Sequence, residues 1–209
     1  MIPDKARLQP KPPTRERVLD AAERLLAQGS AAFSMRELAD EAGVSFATPF
    51  NQFGSKAAIM LALSSRRIAL MHERLAQATL PRAAIGRVLA AVDIAAAVML
   101  AEPAANRAVM GAISSPGDVP GDVSSRSGDL WARALGKGEG LAVGSRALAL
   151  ATLPHQLAVV FRGVLSFWTA GELADRSLGQ HARAAAATVL LGFATRDDRR
   201  QLMTLLLMQ

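Results

Sequence analysis

The chain has 209 residues, 51% of them hydrophobic, 20% charged and 4% aromatic, with a formal net charge of +6 and a pI near 10.9. It contains no Cys and no Tyr, which excludes disulfides, zinc ribbons, thiol nucleophiles and a phenolic acid or base. A basic balance permits electrostatic contact with nucleic acid without establishing it. The length suits one compact domain, or a small domain joined to a larger one, and suffices to bury a core unaided.

The opening stretch, MIPDKARLQPKPPTRER, is polar and Pro-rich, so no secretory leader is expected. Residues 1–13, with Lys5, Arg7 and Lys11, read as a flexible basic arm. Thr14 is placed to cap a first helix on which Val18, Ala22, Leu25 and Leu26 recur at helical spacing until Gly29. Ser34 caps a second, short helix, with Glu37 three residues on completing a capping box and Gly43 ending it. Ser45 caps a third helix to about Asn51, and Ser55 a fourth that runs to near Ala78. Pro81 opens a helix over about 82–100, Pro103 interrupts, and 104–113 is helical again.

The segment 114–129 is dense in Gly, Pro, Ser and Asp and reads as a loop, followed by a short helix over 130–135. A glycine-rich turn, GKGEGLAVG, leads into a long helix over 145–171 with a kink expected at Pro154. Helices over 177–194 and 197–208 close the chain. No alternating β pattern occurs, so the class is all-α. The most apolar windows fall short of the roughly 20 residues a membrane span needs, and neither a membrane partner nor a location outside the cytoplasm is expected.

Enzymatic motifs are missing. GKGEGLAVG fails as a dinucleotide fingerprint, because Val143 stands where the third Gly belongs and no strand precedes it. There is no P-loop and no HExxH, and His72, His155 and His181 are too scattered for a metal centre. No enzyme activity, cofactor or metal is expected.

The informative segment is SMRELADEAGVSFATPFNQFGSK, residues 34–56. Two short helices meet at a tight turn: Ala39 is small where they cross, Gly43 accepts a positive φ, and Val44 plugs the joint. This pattern fits a helix-turn-helix, whose second helix is free to lie in a DNA major groove. Here the sequence resembles the TetR family of bacterial transcriptional regulators. Ser34, Arg36, Leu38 and Ala39 match that family's second helix, Ala42–Ser45 keeps its Ala-Gly-Val-Ser turn, and Thr48, Phe53, Ser55 and Lys56 match beyond it. Ala47, Pro49, Phe50 and Gln52 depart: Phe50 keeps a ring but loses the family's tyrosine hydroxyl, and Gln52 replaces a histidine. Pro49 falls near the first turn of the third helix, where its cost is small, so that helix should survive, shortened or slightly bent.

The resemblance implies an N-terminal three-helix helix-turn-helix domain over 14–60 and a C-terminal helical ligand-binding and dimerisation domain over 61–209. It implies phosphate contacts for Ser34, Thr48, Gln52 and Lys56, aided by Lys11, Arg15 and Arg17. Arg36, Phe46, Ala47, Phe50 and Asn51 become candidates for base-edge or thymine-methyl readout. Residues 1–60 carry eight Lys/Arg against seven Asp/Glu, so binding would depend on a few placed cations. The acids Asp20, Glu23, Asp40 and Glu41 are expected to face water.

Met99, Met110, Trp131, Phe161, Phe167 and Trp168 could line an apolar pocket or simply form core, and His155 is the most interesting polar candidate there. The implied partners are a palindromic double-stranded DNA operator, a second copy of the chain through helices near 157–168 and 182–193, and a small apolar effector. The implied function is that of a ligand-responsive repressor. A helical ligand-binding or protein-interaction module with a disused DNA head is the alternative.

Overall fold

The computed structural model describes residues 13–29, 32–114 and 122–207. The basic arm with Lys11, all but Pro13, and the loop residues 115–121 lie outside them. Ten α-helices follow in chain order: α1 Thr14–Ala27, α2 Met35–Ala42, α3 Ala47–Phe53, α4 Lys56–Gln77, α5 Ala84–Ala101, α6 Pro103–Ala112, α7 Val123–Leu135, α8 Arg146–Thr169, α9 Asp175–Leu190 and α10 Arg196–Leu207. Among the described residues the only β pairing is an isolated bridge between Leu141 and Ala194.

Two apolar cores organise these helices. The smaller gathers Val18, Ala22 and Leu26 of α1, Phe33, Leu38 of α2, and Ile59 and Leu63 of α4, with Ala105 and Val109 of α6 joining from the other side. The larger is built from the far end of α4 and from α5 and α7–α10, around the fully buried Trp131 and Trp168. The 22-residue α4 runs from one core into the other.

Local signals explain much of the head. Ser34 caps α2 as expected: its hydroxyl accepts the Glu37 N–H at 3.2 Å while the Glu37 carboxylate accepts the Ser34 N–H at 2.6 Å. Gly43 closes α2 at φ +61°, a conformation that L side chains rarely adopt. The Ser55 hydroxyl accepts the Ala58 N–H and starts α4. Two expected caps are corrected. Thr14 is the first helical residue rather than the cap, with Pro13 at the cap position and its carbonyl accepting the Arg17 N–H. The third helix starts at Ala47 with Phe46 at its cap, because the Ser45 hydroxyl is 2.7 Å from that of Thr48 rather than on a backbone N–H. Pro49 is thus the third residue of α3, where its missing N–H costs no intrahelical bond, and it is buried.

The expected loop over 114–129 is shorter than its composition suggests, since Val123–Asp129 is the first half of α7. Leu130, Trp131, Ala134 and Leu135 drive this by burying one face of the helix; packing outweighs the poor helix propensity of Ser and Gly. Pro81 lies outside α5, whose first N–H is instead taken by the Glu139 carbonyl at 2.7 Å. The glycine-rich turn therefore has a structural use. Gly140, at φ +83°, brings the backbone so close to Ala83 that a Cβ would lie 3.1 Å from the alanine methyl. By length and hydropathy α5 and the 143–169 stretch could cross a membrane, but α5 is packed in the larger core, and its Asp93 pairs with Arg183 of α9.

Candidate nucleic-acid interface and adjoining cavity

The outer surface of the head is small and mixed in character. Phe46 and Phe50 are 53% and 42% exposed and meet edge to face at 5.5 Å. The Arg36 guanidinium lies over the Phe46 ring at 5.5 Å. Ala47, Asn51 and Gln52 are also exposed on α3, and Arg36, Phe46 and Phe50 form one connected patch. Arg36 and Asn51 can donate hydrogen bonds and the rings can meet thymine methyls, the chemistry of a major-groove reader. Two large aromatics exposed side by side form an apolar patch of the kind that partner-binding surfaces use.

The candidate phosphate contacts are more occupied than the sequence suggests. Arg17 donates to the carbonyls of Ala42 at 2.9 Å and Gly43 at 2.7 Å. It thereby satisfies orphan carbonyls at the end of α2 and fixes the turn from beneath. Arg15 donates to the Gln52 carbonyl at 3.1 Å and stacks on Phe53 at 4.2 Å. Lys56 donates to the Phe33 carbonyl at 2.8 Å with its ammonium 4.2 Å from that ring, and desolvation holds its pKa below the usual lysine value. Ser34 is engaged in the capping box, and the Ser34 N–H bond, followed by the Ser34 hydroxyl, lowers the Glu37 pKa. Thr48 is held by Ser45.

The acids of α1 do not simply face water, as expected, but tie the head to α4. Arg66 reaches Glu16 at 2.9 Å, Asp20 at 2.6 Å and Glu23 at 3.1 Å, and Arg67 reaches Glu23 at 2.6 Å. Burial alone would lower the Arg66 pKa, but Asp20, Glu23 and Glu16 outweigh it and raise it. Arg67 also donates to the Asn106 side-chain oxygen at 2.7 Å. Asn106 is buried on α6, and its amide donates to the Val98 and Met99 carbonyls at 3.2 and 2.8 Å. Met99 needs that donor: the residue four on is Pro103, which has no N–H to continue the helical ladder. One polar chain thus links α1, α4, α6 and the end of α5.

Beside this chain lies a cavity of about 480 Å³, within the usual range of small-molecule sites. Leu61, Ile68 and Met71 of α4 wall one side, and α6, α7 and α8 close the rest. Arg67 and Arg162 both reach its wall. Trp131 and Phe161 meet there edge to face at 5.4 Å.

A family model described as bacterial regulatory proteins, tetR family, matches residues 18–63, which hold the whole head from α1 into α4. Over residues 18–63 the chain is thus similar to the N-terminal domain of the TetR family. A TetR transcriptional regulator from Rhodococcus sp. RHA1 superposes with a TM-score of 0.68 at 23% identity, over 85% of this chain and 96% of that one. SmeT, the repressor of the Stenotrophomonas maltophilia multidrug efflux pump SmeDEF, gives 0.60 at 19% identity, over 88% and 92%. CprB from S. coelicolor A3(2) gives 0.54 at 17%, over 92% and 95%. These likenesses extend the common fold over the larger helical body. No match was found among curated proteins.

The seven residues singled out for a pocket divide. Met99, Met110, Trp131 and Phe161 line the cavity. Trp168 does not; it is fully buried in the core, its indole N–H donating to Asp175 at 2.7 Å and its ring under Arg107. His155 is on the exposed side of α8 and does not reach the cavity, and Phe167 is 58% exposed. Helical phase explains the division. Phe161 and Leu165 share a stripe of α8, and His155 and Phe167 point off it. The sequence reading missed Leu61, Arg67, Ile68 and Met71 of α4, because nothing local marks one helix as the wall of both a head and a cavity. Arg162 also carries a signal in the sequence, as the one charged residue of α8 beyond its first position.

Proposed function

We propose that this chain is a ligand-responsive transcriptional repressor that binds a palindromic operator as a homodimer and is released by a small molecule held in the 480 Å³ cavity. The observation that carries the reading is the double engagement of α4. Its Leu61, Ile68 and Met71 wall the cavity while its Arg66 and Arg67 grip the carboxylates of α1. A ligand that displaces α4 moves the footing of the head. Thermodynamically the ligand must favour the DNA-incompetent arrangement, and a tenfold preference corresponds to about 1.4 kcal/mol of coupling.

Dimerisation through α8 and α9 fits the exposed Val159 and Phe167 and the open space around Gly163 and Gly179, where helices can approach closely. A dimer would set two α3 helices about 34–36 Å apart on successive major grooves. The reading heads are then Arg36, Phe46, Ala47, Phe50 and Asn51, with Ser34, Thr48, Gln52 and Lys56 on phosphates. A DNA partner implies a cytoplasmic location, and repression has a precedent in the fold in SmeT.

The engagement of Arg15, Arg17 and Lys56 with the chain's own groups favours a second reading, a helical ligand-binding module whose head is disused. Recovery of fragmented genomic DNA on the full chain at near-physiological salt separates the two. The repressor reading expects one enriched palindrome whose affinity falls with salt at a log–log slope of about −0.9 per neutralised phosphate. Sequence-blind recovery, or none, supports the second reading.

A further inference from the structure

The two arginines at the cavity differ in what they touch. Arg67 is neutralised by Glu23 at 2.6 Å and bonded to Asn106. Among the described residues Arg162 has only neutral company: one guanidinium nitrogen is 3.5 Å from the Met110 sulfur and the other donates to the Ser114 hydroxyl at 2.9 Å. Among the described residues no carboxylate pairs with it, and N–H donors remain without a protein acceptor.

A guanidinium cannot shed its proton to escape such a place. Desolvation in its half-buried position lowers the Arg162 pKa, a shift with no nearby charge behind it. Burying a cation without its counter-charge is costly unless something arrives to complete the pair. The surroundings specify what can arrive. Ile68, Met71, Met99, Leu130 and Leu165 present apolar walls, with the hydroxyls of Ser124 and Ser127 as minor polar features.

We propose that the effector is an amphipathic monoanion, an apolar body bearing one carboxylate, anchored by Arg162. This rests on the cavity being the effector site and sharpens it, replacing the purely apolar ligand that the sequence implies. The planar fork of Arg162 can hold a carboxylate on two parallel N–H donors, while the Ser114 hydroxyl is committed to the Met110 carbonyl at 2.7 Å. A cationic ligand meets repulsion, and a neutral one leaves the guanidinium unpaired. A dianion lacks a second cation, since Arg67 is already committed to Glu23. The anchor also carries a means of signalling. Arg162 holds the end of α6 through Met110 and Ser114, and the same helix carries Asn106, the link to Arg67 and the head. A carboxylate that draws Arg162 inward loosens the C-terminal end of α6, one turn beyond Asn106 and the polar chain to α1.

The test is calorimetric titration of the full chain with decanoate, decanol and decylamine, which share a tail and differ in charge, repeated on Arg162→Gln and Arg162→Lys. The expected result is decanoate bound at least tenfold more tightly than decanol, with decylamine weakest. Arg162→Gln should bring decanoate down to the decanol level and leave decanol unchanged. Arg162→Lys, charged but without the fork, should fall between. Equal binding of decanoate and decanol by the wild type, no binding of decanoate, or a preference that survives in Arg162→Gln each overturns the proposal. The wild-type comparison decides even if a variant fails to fold. Decanol bound without a charge preference overturns the anion anchor while keeping the cavity as a ligand site, and genomic recovery tests the DNA-binding reading without any ligand.

Discussion

Asn106 offers the most demanding test of the polar chain between head and body. It is 1% exposed and makes three contacts, accepting from Arg67 and donating to the Val98 and Met99 carbonyls. Asn106→Leu keeps the side-chain size but removes them all. The Met99 carbonyl then has no donor, because Pro103 cannot supply one, and the Arg67 Nε loses its acceptor in a site where that side chain is 13% exposed. A neutral hydrogen bond contributes about 1 kcal/mol and a charge-assisted one about 1.5–3. The expected loss is about 3 kcal/mol, partly offset by the gain in apolar packing. For a chain of this size that lowers the melting temperature by roughly 6–12 °C. Asn106→Asp separates the two ends. It restores an acceptor for Arg67 but sets an oxygen against the Met99 carbonyl, so at least about 1 kcal/mol of the loss should remain. The assay is thermal unfolding followed by circular dichroism at one protein concentration. An Asn106→Leu protein that melts within about 2 °C of wild type would refute the argument that these contacts hold the bodies together.

Other expectations follow from the head. Arg17→Ala should lower its stability by about 1–2 kcal/mol through the loss of the Ala42 and Gly43 contacts. It should leave the salt slope of DNA binding unchanged, and a flatter slope would restore Arg17 as a phosphate contact. Lys56→Ala should instead flatten that slope by about 0.9 per head, and an unaltered slope would remove Lys56 from the interface. The Glu37 carboxylate has its pKa lowered below 4.5 by Ser34. A folded-state pKa below the unfolded one means its capping contribution is fully present above about pH 5 and is lost as pH falls through the lowered value. Urea titrations between pH 6 and pH 3 should show a steeper acid-side loss for wild type than for Glu37→Gln, and parallel curves would rule the cap out as a pH-sensitive element.

What could be read in the sequence was what is decided locally. The Ser34–Glu37 box, the Ser55 cap and the positive φ of Gly43 depend on residues within a few positions of one another, and all three are realised. Pairings across the chain could not be read this way. Arg17 had the right charge for a phosphate contact, but its carbonyl partners are 25 and 26 residues away and become neighbours only when α1 packs on α2. Nothing near Asp20 and Glu23 in the sequence marks them as paired, since Arg66 and Arg67 lie more than 40 residues on. The first half of α7 was hidden by its Ser- and Gly-rich composition and is set by the burial of Trp131. At the cavity, residue type alone separated neither Met99 from Trp168 nor Phe161 from Phe167, since only helical phase and the position of α4 decide which side chain borders the space.

Operator recognition requires that the surface formed by Arg36, Phe46 and Phe50 read DNA. The direct measurement is genomic recovery run in parallel on wild type and on an Arg36→Ala/Phe46→Ala double variant. Both side chains are exposed, so the fold should survive, which circular dichroism can confirm. Burying the exposed half of Phe46 on a base step should contribute about 1 kcal/mol, and a good Arg–base contact about 1–3 kcal/mol more per head. The wild type is expected to enrich a single palindrome and the folded double variant none. The same palindrome enriched equally by both would contradict this expectation.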